Sequence, residues 1–370
     1  MRHLIAFIIS AGVLASSAFA AGFSTVPFLF IADSQNNRVR AVNLNTNIIT
    51  TVAGNGLGLF GGDGGPATSA SLHNPTGVAV FNNLLYIADN QNNRIRRVNL
   101  TTGVIITVAG TGAAGSGGDG GPATSAQLNG PYGVAVDISG NLFIADTNDN
   151  RIREVVGGTI NTVAGNGTVG NGGDGGLATS AQLYHPMGVA VDGSGDIYIA
   201  DTDNQRVREV VSGSNIIITR EGTGQVGYSC GNGLAASIGL HNPTGIAFDP
   251  FLPAILVADT GNQCVRAVQS GTNTVAVGNG IASYGGDGGL LTSPSVEFNY
   301  PTGVATDSSA NVYIADNVNN RVRVVNSTTG IITTLAGNGI AGFSGDGGLA
   351  TSARLYNPTG ITFGIILVGP

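Results

Sequence analysis

The chain has 370 residues, of which 60 are Gly, 42% are hydrophobic and 10% charged, with no Trp and a formal net charge of −7. That Gly content is far from the every-third-residue period of collagen, and the apolar content is too high for a disordered chain. Length alone suggests roughly two or three ordinary domains, so the reading turns on where the glycine sits.

Arg2 and His3 precede an apolar run from Leu4 to Leu14, and Ala18-Phe19-Ala20 is a small-x-small site. This pattern predicts a signal peptide over 1–20 and a mature chain over 21–370. The run is short for a bilayer span, and no later stretch reaches about 18 uninterrupted apolar residues. The mature chain is therefore expected to be exported, secreted or held in a periplasm or at the cell surface, without stable membrane insertion after cleavage.

From there the chain repeats. Ile-Ala-Asp or a close variant ends at Asp33, Asp89, Asp146, Asp201, Asp259 and Asp316, at intervals of 56, 57, 55, 58 and 57 residues. Each copy leads into a turn and an Arg-x-Arg start that brings in Arg38, Arg94, Arg151, Arg206 and Arg321; the fifth copy carries Cys264 instead. Within the second unit, four short β-branched or aromatic runs read as strands a to d: Gly77 to Val80, Leu84 to Ala88, Arg94 to Val98 and Val104 to Val108. None has a helical period, and runs apolar on both faces suit radially packed blades. The expected fold is all-β: one six-bladed β-propeller of four-stranded antiparallel blades.

The ends sharpen the expectation. The first Ile-Ala-Asp has no Pro-x-Gly strand before it, whereas Pro358-Thr359-Gly360 near the C-terminus has no Asp-Asn-Arg turn after it. The last strand should therefore complete the first blade and remove free edges. The tail 364–370 has no counterpart in the repeat.

Between strand d and the next strand a lies a Gly-rich connector containing Asp63, Asp119, Asp174, Asp287 or Asp346, each in Gly-Asp-Gly-Gly. The fourth copy is degenerate, Cys230-Gly231-Asn232-Gly233-Leu234. Gly around one Asp permits positive-φ turns, and the following Pro or Leu with Ala-Thr-Ser-Ala suits one helical turn.

The Pro-x-Gly-Val-Ala-Val-Asp start, the Tyr-Ile-Ala-Asp strand and the Asn-x-Arg-Ile-Arg turn together resemble NHL repeats over about residues 26–363. The connector is similar to that of secreted tandem NHL-repeat proteins, mostly bacterial. The resemblance implies a binding platform for proteins, glycans or RNA. Related six-bladed propellers include amidating lyases, lactonases and strictosidine-synthase-like enzymes, so fold analogy does not choose among them.

In an antiparallel blade the connectors and the b–c turns share one face. The motifs there hold 11 Asp against 11 Arg, which predicts one-to-one Asp–Arg ties bracing each blade and an acidic remaining surface. With no Lys, matched Arg and a sequence pI of 4.9, nucleic acid is excluded as a partner.

Asp146-Thr147-Asn148-Asp149-Asn150 begins like a calcium loop but has Arg151 and Gly157 where an EF-hand needs Gly and Glu. His73, His185 and His241 stand one or two residues before the Pro that opens strand a. The resemblance makes them the alternative reading: a metal-dependent lyase or hydrolase with calcium or zinc at the channel mouth. The favoured reading needs no cofactor and assigns no catalytic residue. Cys230 and Cys264 each break the repeat once, in the same blade, which predicts a disulfide in an exported chain that replaces the lost Asp–Arg tie. The expected function is a secreted, non-catalytic scaffold presenting its loop-rich face to a protein or glycan partner.

Overall fold

A computed structural model describes residues 24–249 and 251–369; the expected leader over 1–20 lies outside them. Six antiparallel sheets form six blades. In blade 2 the strands are Pro75–Phe81, Leu84–Asp89, Arg94–Asn99 and Ile105–Ala109, within two residues of the runs read from sequence. Blade 5 has a fifth, two-residue strand, Gly233–Leu234, contributed by the degenerate connector. Among the described residues there is no α-helix; five of the six connectors end in a three-residue 3-10 turn such as Ala67–Ser69.

The core lies between the blades. Phe30, Ala32 and Val39 of blade 1 pack with Val78, Leu85 and Ile87 of blade 2, and equivalent layers join every adjacent pair, including blades 6 and 1. Each blade therefore buries apolar side chains on both of its faces, as the composition of its strands required.

The clasp forms as expected, and the tail joins it. Pro358–Val368 pairs with Ser24–Asp33 over a register running from Asp33↔Pro358 to Ser24↔Val368. Residues 364–368 thus continue strand a past the blade edge. Ile366 is buried in the apolar layer between blades 1 and 2, and Asn83 holds the Leu367 backbone with both ends of its amide.

Closure at the hub comes from the Gly of Pro-x-Gly. A Cβ on Gly77, Gly133, Gly188, Gly245, Gly303 or Gly360 would fall well under 3.0 Å from the carbonyl oxygen of residue x in the next blade, ending with Gly360 against Thr76. Only a residue without a side chain lets six backbones approach so closely around the axis.

Candidate functional site: the connector face

The b–c turn is built the same way six times. In blades 1 to 5 the Asp that ends strand b leads into a three-residue 3-10 turn and in blade 6 into a turn closed by the same backbone bond, and the chain then enters the left-handed region at Asn37, Asn93, Asn150, Gln205, Gln263 or Asn320. Asn tolerates that conformation better than most residues. Its side-chain oxygen accepts the N–H of the residue before the next blade's Pro, as Asn37 does from Asn74 and Gln263 does from Tyr300. These turn residues therefore tie blade to blade.

The aspartates hold the connector. Asp89, fully buried, accepts from the His73 N–H, from Asn92 Nδ2 and from Arg96. Asp33, Asp146, Asp201, Asp259 and Asp316 accept the corresponding connector N–H. Burial is the main influence on their protonation: it pushes Asp33, Asp201 and Asp316 up to about 6 and Asp146 to about 7, the last also raised by the neighbouring Asp149.

The one-to-one pairing expected from composition is not what forms. The second Arg of each Arg-x-Arg pair takes the carboxylates. Arg40, Arg96, Arg153, Arg208 and Arg323 are fully buried, and each bridges a connector Asp at 2.6–2.7 Å and a strand-b Asp at 3.2–3.6 Å. The first Arg of the pair, at Arg38, Arg94, Arg151, Arg206 and Arg321, has no carboxylate within 4.0 Å among the described residues. Arg38, Arg94 and Arg321 instead donate to backbone carbonyls and lie 3.7 Å under the rings of Phe343, Phe60 and Tyr284. On its other side the guanidinium meets a Gly; a Cβ on Gly56 would collide with Arg38. Alternation along strand c puts both arginines on one side, so sequence spacing does not say which of them reaches the acids. The aromatic cover was missed as well, although Phe60, Tyr284 and Phe343 each stand three residues before a connector Asp.

Blade 5 shows what replaces what. The disulfide forms between Cys230 and Cys264, with a Cα–Cα distance of 6.4 Å. Cys264 occupies the slot of the first, outer Arg of the pair, and a Cβ on Gly280 would lie 3.8 Å from Cys230 Sγ, in ordinary contact, where one on Gly56 would collide with Arg38. The bridge therefore substitutes for the arginine stack, not for the lost Asp–Arg tie. That tie is rebuilt elsewhere: Arg266 keeps Asp259, donates to the Ser229 and Gly231 carbonyls, and reaches Asn273, whose amide in turn donates to Glu221. Glu221 stands where four other blades have the Ala that closes strand d. Burial pushes its carboxyl up to about 8.

The three histidines stay apart, each on the connector of its own blade. His185 Nδ1 lies 2.6 Å from Asp203, and its neighbour Tyr184 packs at 4.8 Å between ring centroids. The His241 ring lies edge-on to Tyr228 at 6.0 Å. His73 and His241 donate backbone N–H groups to strand-b aspartates, whereas His185 occupies the left-handed slot. Among the described residues no group of three or more His, Cys, Asp or Glu side chains is placed to hold a metal. The connector aspartates likewise sit on separate blades, each against its own Arg. The channel is lined by strand-a residues, chiefly Thr, Gly and Val, with Tyr132 and Met187 completing the ring at its narrow end. Thr244, Thr302 and Thr359 close that ring by donating to the next blade's carbonyl.

Comparison with known proteins agrees with this architecture. Residues 72–98, 183–209 and 298–325 match the NHL repeat, so the chain is a six-bladed propeller carrying NHL repeats. It is 25% identical to NHL repeat-containing protein 2 of Homo sapiens over 83% of this chain and 46% of that protein. It is 29% identical to Protein SUPPRESSOR OF QUENCHING 1, chloroplastic, of Arabidopsis thaliana over 77% of this chain and 28% of that protein. The chain thus spans less than half the length of these relatives. Among solved structures, a structural genomics protein from Bacteroides thetaiotaomicron superposes with a TM-score of 0.61 at 15% identity, covering 92% of this chain and 71% of the other. A chain of a nidogen/laminin complex superposes at 0.56 and 18% identity, covering 91% and 98%. These two likenesses speak to the fold. No helix among the described residues is long and apolar enough to cross a membrane.

Proposed function

We propose that the chain is an exported, non-catalytic scaffold whose connector face holds a protein or glycan partner. One observation carries this reading. The conspicuous charged motifs of that face are consumed in bracing the blades, while the connector side chains between them stand exposed, from Leu57 and Phe60 to Tyr228 and Tyr284. A face whose polar groups are already satisfied and whose free groups are aromatic and aliphatic is suited to a partner surface. The disulfide fits an oxidising compartment, and the leader expected over 1–20 supplies the route there. That one superposing chain comes from a nidogen/laminin complex is in keeping with partner binding by a propeller of this shape.

Two measurements test the reading. N-terminal sequencing of protein recovered from the exported fraction should begin at Ala21; a retained Met1 would remove the export argument. Purified mature protein should bind on a glycan array or a purified-protein array. Stoichiometric zinc or calcium in that protein, lost on His185→Ala, would shift the assignment to a metal-dependent lyase or hydrolase.

A further inference from the structure

The repeat is sixfold but the exposed chemistry of its connectors is not. Two connector positions differ systematically among blades: the residue after the Gly that packs on the outer Arg, and the residue three before the connector Asp. In the connectors entering blades 6, 1 and 2 these are Ile281 and Tyr284, Ile340 and Phe343, and Leu57 and Phe60. In those entering blades 3 and 4 they are Ala113 and Ser116, and Thr168 and Asn171. Blades 6, 1 and 2 are neighbours around the ring.

The arginine stacks make the three connectors one surface. Tyr284 covers Arg321, which rests on Gly339 beside Ile340; Phe343 covers Arg38, which rests on Gly56 beside Leu57; Phe60 covers Arg94. The result is a crescent of alternating aromatic rings, arginines and aliphatic side chains across blades 6, 1 and 2. Its three aliphatic side chains project freely: Leu57 is 57% exposed, Ile281 55% and Ile340 55%.

Charge follows the same division. The connectors and b–c turns of blades 6, 1 and 2 hold seven carboxylates and seven arginines, counting Glu297 and Arg354. Those of blades 3 and 4 hold six carboxylates and four arginines, because Asp149 and Asp203 stand where the other turns carry uncharged residues, with the His185 imidazole lying against Asp203. The crescent is neutral and apolar, and its flank is acidic.

We propose that the crescent is a docking site for a protein segment with an aromatic or aliphatic face and a basic flank, the flank drawn by the charges of Asp203, one-third exposed beside His185, and of Asp149, which is part-buried with its Oδ1 held by Asn129. This rests on the binding-scaffold reading above and specifies its partner. Exposed aliphatic groups interleaved with aromatics, over arginines and between neutralised charges, have the composition of a protein interface core. A sugar platform would use the ring faces alone and leave Leu57, Ile281 and Ile340 without a role. The acidic flank of a chain carrying −7 selects for positive charge in the partner and steers its approach.

The test uses a phage-displayed library of random 12-residue peptides panned on the mature protein, with the enriched consensus made as a free peptide. The expected consensus combines aromatic or aliphatic residues with Lys or Arg. Its Kd should weaken at least tenfold on the triple substitution Leu57→Ser, Ile281→Ser, Ile340→Ser. It should hold on the equally exposed pair Leu177→Ser, Leu234→Ser, which lies outside the crescent. Asp149→Asn with Asp203→Asn should flatten its salt dependence. Melting curves of all variants confirm that the fold is kept. A peptide that binds wild type and triple variant alike overturns the crescent while leaving the scaffold reading intact. So does a glycan, found by array, whose binding the triple variant abolishes while no peptide is enriched. If neither peptide nor glycan binds the wild type, the scaffold reading fails and the crescent with it.

Discussion

Replacing Arg96 by Leu and, separately, Arg94 by Leu separates two residues that sit two positions apart on one strand. Arg96 is fully buried and serves two carboxylates, Asp63 and Asp89, and the Ser71 and Gly61 carbonyls. Its loss leaves Asp89 buried with no cation, and the cost of breaking such a pair is about 3–5 kcal/mol, with about 1 kcal/mol more for two carbonyls that lose a donor. Arg94 leaves no carboxylate behind; losing its carbonyl bonds and its stack on Phe60 should cost about 1–2 kcal/mol. For about 345 described residues the unfolding entropy is roughly 0.7 kcal/mol/K, so the expected drops in Tm are about 7 °C and about 2 °C. With no Trp in the chain, far-UV circular dichroism or calorimetry is the appropriate assay. The Arg96→Leu deficit should shrink at pH 5, because the carboxyl of Asp89, already raised by burial, is then protonated more readily. Equal losses in the two variants, or a larger loss for Arg94→Leu, would refute the assignment of inner and outer arginines.

Further expectations follow from the hub, the disulfide and the degenerate blade. Gly188→Ala should cost about 3 kcal/mol, since its Cβ would enter the Thr244 carbonyl; Gly64→Ala, at φ +81 but in open space, should cost about 1 kcal/mol, and calorimetry that ranks them the other way would contradict the closed ring. The bridge closes a separation of 34 residues, so Cys230→Ser with Cys264→Ser should lower stability by about 4 kcal/mol; intact mass should show the wild type two hydrogens lighter than its reduced form. Glu221 is protonated to about pH 8 when folded and only to about 4.3 when unfolded. The unfolded chain therefore loses its proton first, and stability falls as pH rises from about 4.5 to 8, by up to about 5 kcal/mol for this group. Glu221→Gln should remove that component and match wild type near pH 5; parallel pH profiles for the two proteins would rule the idea out.

Much of the molecule was legible before any coordinates. The Ile-Ala-Asp interval marked the blades, short runs apolar on both sides marked the strands, and the unmatched Pro358-Thr359-Gly360 pointed to the clasp with the first blade. Cys230 and Cys264 could be paired because each interrupts a repeat once, within one blade. All of these are local patterns or departures from a period, which a single sequence displays directly.

The division of labour among charges was decided by tertiary structure. Arg94 and Arg96 carry the same chemistry on the same side of a strand, and equal totals of Asp and Arg invited one-to-one ties. What separates them is depth: Arg96 lies where a connector from 33 residues upstream folds over it, and Arg94 lies where a Phe and a Gly close on its two sides. The same holds for the crescent. Its side chains belong to connectors at both ends of the chain, and only ring closure makes blades 6, 1 and 2 neighbours. Sequence by itself determined the repeat, the strands and the bridge, because these follow from local spacing. Burial and adjacency in the ring decided which charges are structural and which surface is left for a partner, because both depend on contacts between residues tens to hundreds of positions apart.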